Sequence, residues 1–460
     1  MTTQESGHSV GERLRTVKVR RLDFARHGIR RWALDAPANE RLVDAGAAAI
    51  LLQGWLLWDV PPDQPVHVVV ARLDDAEARL LAFNCKRPDV IERVLLEQAV
   101  GHPQLCCGFA WRIPLPLEGF RLGIQVGQSL PVWLAEVEFV TPMQVIVGPE
   151  NWLFLDNDTN RSVDQYTGKR LLDADELHRW SAYLAGCRTL ATRVGARHAL
   201  VLAPSKEEVL PHRYPYKRAH ITVLDQVCTL AQPEDHVVNA APVLAAHKPP
   251  EACFKVTDTH WSDRGAMLAT LAALPHLGVD VAQARALFSH DAYEAVNEVG
   301  DLGCKLLPAR SAPTEFLKCP VPEAGASFDN RLPNIGRTLV FENEGAVYQR
   351  RLLLFGASSS YPMLKYLKRL FQRVVFVHSA AQVDVRVVEH EQPNALLLQS
   401  NGRFLVQAPH LHFVLQHAMQ TKLAEASPAL RQHVRVLLDA APTEGPNVLY
   451  HQMLAKATKN

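Results

Sequence analysis

Hydrophobic and polar positions change rhythm once along this 460-residue chain. Between Val17 and about Thr141 the apolar runs are short. "VHVVVARL", "ARLLAF", "FAWRIPL", "FRLGIQV" and "VWLAEVEFV" are rich in Val, Ile, Phe and Trp and are cut by Pro, Gly and Asp. Side chains of a strand alternate between faces, and β-branched and aromatic residues suit a pleated, half-buried surface, so this rhythm predicts a β-sandwich. Only "RPDVIERVLLEQA" (87–99) reads as helical within it.

After "TPMQ" the period lengthens. "DADELHRWSAYLAGCRTLATRVGA" (173–196) has apolar residues at helical spacing behind an acidic first turn, which predicts a long amphipathic helix. "RHALVLAPSKEEVLP", "RLLLFGASSS", "RVVFVHS" and "NALLLQS" supply continuous apolar strands, and "YPMLKYLKRLF" lies between two of them. Buried strands alternating with helices predict a parallel sheet covered by helices, hence an α/β domain after the all-β one. The expected division is a flexible lead over 1–16, a β-sandwich over 17–141 with a candidate carbohydrate-binding role, an α/β domain over 142–420 and a helical C-terminal extension over 421–460. A rough prior of about 100–200 residues per domain suggests two or three domains for a chain of this length.

Charge narrows the partners. A formal net charge of +1 leaves no electrostatic footprint for nucleic acid. Eight Arg or Lys residues between Arg13 and Arg31 read as a solvated lead and first strand. "AGAAAILLQGWLLW" (45–58) is broken by Gln53 and Gly54 and falls short of the ~20 apolar residues that span a bilayer. The basic N-terminus lacks an apolar signal core, so a cytoplasmic location is expected. Eight cysteines without a CxxC pair are expected to be reduced thiols, most of them small buried hydrophobes.

Two segments carry chemistry. "LLLFGASSS" ends an apolar strand in a Gly-Ala-Ser turn before a helix and sets Ser358 at the rim of the sheet. Reactive groups of open α/β sheets gather at that rim, and the N–H groups of a helix N-terminus favour an anionic oxygen there. A serine-capped helix has the same pattern. "DTHWSDRGA" (258–266) puts Asp258 two residues before His260. A serine hydroxyl needs a base, and the base works best when a carboxylate fixes its tautomer, so Asp258, His260 and Ser358 form a candidate triad with Trp261 packing the loop.

Six segments in order, "VIVGPENWLFLDNDTNRSVDQYTG", "VLAPSKEEVLP", "DTHWSDRGA", "GDLGCKL", "LLLFGASSS" and "PNALLLQSNGRFL", resemble the alginate O-acetyltransferase (AlgJ/AlgX-like) branch of the SGNH-hydrolase superfamily across roughly residues 143–408. The resemblance implies an SGNH-like α/β domain. It also implies a Ser358–His260–Asp258 triad and acetyl transfer to a sugar hydroxyl of a polysaccharide or glycan precursor. A carbohydrate acetyl esterase and an inactive glycan-binding protein are the alternatives. It implies no required cofactor and no metal; the acetyl donor is acetyl-CoA or an acyl-carrying partner, with an acetyl-donating membrane partner among the family's habits. Two positions depart from the family pattern. Ala357 stands where Asp or Thr is frequent, and Gly402 precedes Arg403 where Glu is frequent.

Asn160 and Arg161 are candidate substrate-binding residues, together with Trp261. Asp156, Asn157, Asp158 and Asn160 have the composition of a calcium loop without its Gly and final Glu, and read as a turn. Lys206 is either an anion ligand or a solvated strand end. His410, His412 and His417 are expected on one face of a terminal helix. Trp55, Trp58 and Trp111 are either sugar-stacking faces or core residues of the sandwich.

Overall fold

The computed structural model describes residues 14–22, 28–39, 41–44, 47–59, 64–73, 78–114, 119–140, 145–306, 308–318 and 325–458. The expected lead lies outside these residues as far as residue 13, and so does Cys319. The chain forms two compact units, 1–143 and 144–460.

The first unit is antiparallel. A six-stranded sheet and a three-stranded sheet, Ile29–Ala36, Ala49–Trp58 and Gly108–Pro114, share one core. Val68, Phe120 and Val137 of the larger sheet meet Leu52, Phe109 and Ile113 of the smaller in that core, as expected of a sandwich. The apolar run at 45–58 is therefore a strand whose alternate residues Leu52, Gly54 and Leu56 are buried. The helix expected over 87–99 is shorter. A helical turn begins at Pro88 and ends at Leu95, because Leu96 turns left-handed at φ 60°. Trp55, Trp58 and Trp111 are half-buried and pack on apolar clusters of this unit.

The second unit has a seven-stranded sheet. In spatial order its strands are Val237–Asn239, Arg197–Ala203, Ala395–Asn401, Tyr348–Gly356, Phe371–His378, Thr338–Glu342 and Phe328–Asp329. The first five run parallel, and the last two form an antiparallel edge, so the sheet is mixed although mostly parallel. Leu352 and Leu354 point to one helix layer, against Ala266, Ala269, Met363 and Leu367. Leu353 and Phe355 point to the other, against Trp180, Leu184 and Val387. Such alternation of fully apolar residues is what a strand covered on both faces requires. The helix Ala174–Arg193 starts at a capping box, with Asp173 accepting from Glu176 N–H at 2.8 Å and Glu176 accepting from Asp173 N–H at 3.0 Å.

Residues beyond 421 belong to this core. Tyr450 and Leu454 of the helix Val448–Ala457 are fully buried in it. Arg373 grips the buried Glu391 with two hydrogen bonds of 2.8 and 2.7 Å, and Tyr450 Oη donates to the same carboxylate at 2.7 Å. Arg373 also reaches Pro446 O and Asn447 Oδ1. His410 and His412 lie in the loop before the helix Leu415–Ala424, and only His417 is on it, so the three do not form one helical face. Among the described residues no helix is long and apolar enough to cross a membrane.

Removing one partner of a buried pair leaves the other charge uncompensated, at about 3–5 kcal/mol. Glu391→Gln is therefore expected to lower unfolding free energy by that order in chemical denaturation and to loosen the C-terminal helix first in hydrogen exchange. Equal protection of Val448–Ala457 in the variant contradicts this role.

Candidate active site

Three parallel strands deliver polar groups to one rim of the sheet. The central strand ends at Gly356 and turns through Ala357, Ser358 and Ser359 into the helix Ser360–Leu370. The turn is tight, since a Cβ on Gly356 would lie 2.0 Å from Ser360 Oγ. Its neighbour Ala395–Asn401 is apolar until Gln399, and its buried polar end faces the turn. Gln399 Oε1 accepts from Ala357 N–H at 2.9 Å and from Ser360 Oγ at 2.8 Å. That assigns the amide nitrogen of Gln399 to Asn401 Oδ1, at 3.0 Å. The Asn401 amide nitrogen is thereby left facing Ser358 Oγ, at 3.4 Å.

The loop after Val256 supplies the rest. His260 Nε2 lies 2.7 Å from Ser358 Oγ, and His260 Nδ1 lies 2.6 Å from Asp258 Oδ1. Asp258 also accepts from the N–H groups of His260 at 2.8 Å and Asp301 at 3.0 Å. Burial opposes ionisation of Asp258, but the hydrogen bond and charge of His260 and the two N–H donors outweigh it and hold the carboxyl well below the usual range. Trp261 is buried, and its indole N–H donates to Ser359 O at 2.9 Å, which ties the loop to the serine turn.

The structure thus brings Asp258, His260, Ser358 and Trp261 together. Asn160 and Arg161 lie in a self-bonded turn, whose next residue, Ser162, lines the pocket beside Ser359. Asn160 donates twice to Asp158, and Arg161 pairs with Asp164 on the surface. Ser162 completes the binding of Asp158, so the polar groups of this loop are spent on its own turn. Lys206 is neither solvated nor free to take an anion. It is buried and donates to Leu153 O, to Lys255 O at 3.0 Å and to Val256 O at 3.1 Å, with Trp152 and Phe154 faces beneath it. It braces the backbone that leads into Asp258. Burial pulls its ammonium down to about 7.

Asp301, Gln399 and Asn401 have no role in the sequence reading. Asp301 accepts from Thr259 N–H at 2.7 Å and lies 3.7 Å from His260 Nδ1, so a second carboxylate flanks the imidazole. Gly300 permits this approach, because a Cβ there would sit 2.3 Å from Thr257 O and 2.5 Å from Asp258 Cβ. The available signal for Gln399 and Asn401 is "QSN" closing an apolar strand at the sheet's carboxyl edge. On the other flank, Tyr361 Oη lies 3.1 Å from His378 Nδ1, and burial pulls His378 down to about 4, which keeps it neutral. Asp258, His260 and Asp301 place three ligand-type atoms within 4.8 Å of one another. A cation there would compete with Asp258 for His260 Nδ1.

A pocket adjoins the serine turn and is lined by Thr259, Ser359, Asn401, Ser205, Glu207 and Arg403. Burial pushes the Glu207 carboxyl up to about 7.

The fold is that of an SGNH-like α/β domain, with Ser358, His260 and Asp258 in one hydrogen-bonded line at its rim. The chain belongs to the family described as SGNH hydrolase-like domain, acetyltransferase AlgX, whose model matches residues 145–381. Among solved structures it is similar to the O-acetyltransferase domain of Pseudomonas putida AlgJ, with 19% identity over 61% of this chain and 99% of that one, at a TM-score of 0.38. Bacillus cereus PatB1 shares 13% identity over 57% of this chain and 97% of its own, at 0.42. Pseudomonas aeruginosa AlgX shares 13% over 56% and 62%, at 0.36. No curated protein matches the chain.

Glu207 makes stability depend on pH. Its folded-state value is raised, so the folded protein holds the proton more tightly than the unfolded chain. The contribution is fully present below about 4.5 and is lost as pH rises through about 7. Glu207→Gln removes the titration. Its melting temperature relative to wild type is expected to rise between pH 5 and pH 8.5, by an equivalent on the order of 3 kcal/mol. A constant difference across that window contradicts the burial argument. Lys206→Met leaves Leu153 O and Lys255 O without this donor, while Val256 O keeps the N–H of Leu153 at 3.0 Å; at about 1–3 kcal/mol for each unsatisfied group the variant is expected to destabilise the 255–260 loop, read as faster proteolysis there.

Proposed function

We propose that the protein is an O-acetyltransferase that moves an acetyl group to a sugar hydroxyl of a polysaccharide or glycan precursor. One observation carries the reading. Asp258 Oδ1, His260 and Ser358 Oγ form a continuous line with steps of 2.6 and 2.7 Å. Membership of a family described as acetyltransferase supports the acyl group, and the resemblance of the six segments to the alginate O-acetyltransferase branch supports a carbohydrate acceptor.

The geometry performs the reaction in two halves. Ser358 Oγ attacks the acetyl carbonyl while His260 Nε2 takes its proton, and ionised Asp258 holds the imidazole with Nε2 toward the serine. The carbonyl oxygen becomes an oxyanion near the Asn401 amide nitrogen, which faces Ser358 Oγ. The donor's leaving group departs with the proton from Nε2 and leaves an acetyl ester on Ser358. In the second half Nε2 takes the proton of the acceptor hydroxyl, whose oxygen attacks the ester. Ser358 leaves, regains the proton and is restored. No resident cofactor enters these steps. The donor arrives as a substrate, either acetyl-CoA or an acetyl group handed over by an acyl-carrying membrane partner.

The test follows acetate release and acetyl transfer from an activated ester, with and without a sugar acceptor. Ser358→Ala is expected to abolish both. Asp258→Asn places a donor where an acceptor is needed and is expected to lose at least about 10²-fold in rate with little change in melting temperature. Asn401→Ala removes an oxyanion donor and is expected to lose about 10²–10³-fold in kcat. A Ser358→Ala protein with wild-type rate, or an Asp258→Asn protein within a few-fold of it, contradicts the reading. Acetate release that no sugar acceptor diverts makes the protein an esterase.

A further inference from the structure

Glu207 has no task in the reaction above, yet it lines the pocket that Ser359 and Asn401, neighbours of the serine turn, also line. It follows Lys206 on the short helix Lys206–Val209 and is only 8% exposed. It lines the pocket shared with Thr259, Ser359 and Asn401, and also the continuation of that pocket toward Glu208 and Thr222. Neither neighbour neutralises it. Lys206 is committed to three backbone carbonyls, and Glu208 is bound by Arg218 at 2.7 Å. Among the described residues no side chain hydrogen-bonds or ion-pairs with the Glu207 carboxyl; its own backbone N–H serves it. Arg403 lines the same pocket, packs its guanidinium over Phe404 at 5.0 Å and forms no ion pair among the described residues.

A buried carboxyl group served only by its own backbone N–H keeps acceptor positions that a ligand can use. Two oxygens on one carboxylate match two adjacent hydroxyls, and a guanidinium across the pocket donates to a ring or hydroxyl oxygen. The charges of Glu207 and Arg403 offset each other, and Arg218 already offsets that of Glu208. A sugar that carries its own carboxylate meets like charge at this position, whereas a neutral sugar does not.

We infer that Glu207 and Arg403 form an acceptor subsite that holds adjacent hydroxyls of a neutral sugar and discriminates against a uronate. The inference rests on the acetyl-transfer reading and specifies its acceptor.

The experiment measures binding to full-length Ser358→Ala protein, which prevents turnover, with and without a second Glu207→Gln change. The probes are a β-linked glucose oligosaccharide and the glucuronate oligosaccharide of the same length. The neutral probe is expected to bind at least about tenfold more tightly than the uronate. Glu207→Gln is expected to weaken the neutral probe and strengthen the uronate, so that the preference falls at least about tenfold. A side chain that served only to pack the pocket would shift both probes alike. Equal affinity for the two probes, no binding of either, or a preference unchanged by Glu207→Gln overturns the subsite. A parallel assay of acetyl loading on Ser358 in the wild-type protein separates the two claims. Loading without a Glu207-dependent preference removes the subsite and leaves the serine chemistry. A Glu207-dependent preference without loading supports the subsite and removes the acetyl-transfer reading.

Discussion

The contact between His260 Nε2 and Ser358 Oγ joins two backbone segments 98 residues apart, and most of the rim is built to hold those segments in register. A hydrogen bond of this length tolerates displacements of only a few tenths of an ångström. Three fasteners supply that precision. Trp261 pins the histidine loop to Ser359, the N–H of Asp301 and its carboxylate clasp Asp258 and Thr259, and Lys206 anchors the approach to the loop through three carbonyls. Gln399 performs the corresponding task for the serine turn. Each fastener is buried or half-buried, so water competes weakly with it.

Burial acts differently on each titratable group of the rim. Asp258 has enough donors to stay ionised despite it, whereas Lys206 and Glu207 are both moved to about 7, one downward and one upward. The distinction follows from partners. Asp258 has a cationic or N–H donor on each oxygen, Lys206 has only neutral carbonyls, and Glu207 has only its own backbone. A carboxylate that must stay charged for its task is thus served on both sides, while the one that faces the pocket is left for a ligand.

The parts of this arrangement that sequence reveals are those carried by local pattern. The continuous apolar strands, the change of rhythm near Thr141, the acidic first turn of the helix that begins at Ala174 and the Gly-Ala-Ser turn all depend on residues within a few positions of one another. So does the Asp258–His260 pair, whose members share one loop. Gln399, Asn401 and Asp301 act across sheet neighbours or across a loop clasp, and their partners are 39 to 43 residues away, beyond any local pattern. Lys206 misleads for a related reason. A lysine after a strand reads as solvated, and only the convergence of Leu153, Lys255 and Val256 on one point supplies the three carbonyls that allow it to be buried. The antiparallel edge of the sheet escapes as well, because a buried strand has the same composition whichever way it runs.

The central claim is that Ser358 carries the acetyl group, and mass spectrometry of the intact protein, quenched in acid after incubation with an activated acetyl ester and followed by peptide mapping, tests it most directly. The account predicts a single acetyl group on Ser358 that disappears when a competent acceptor is added and does not form in a His260→Ala protein. Absence of the adduct under conditions of ester turnover, or its appearance on Ser359, Ser360 or a lysine in place of Ser358, would contradict it.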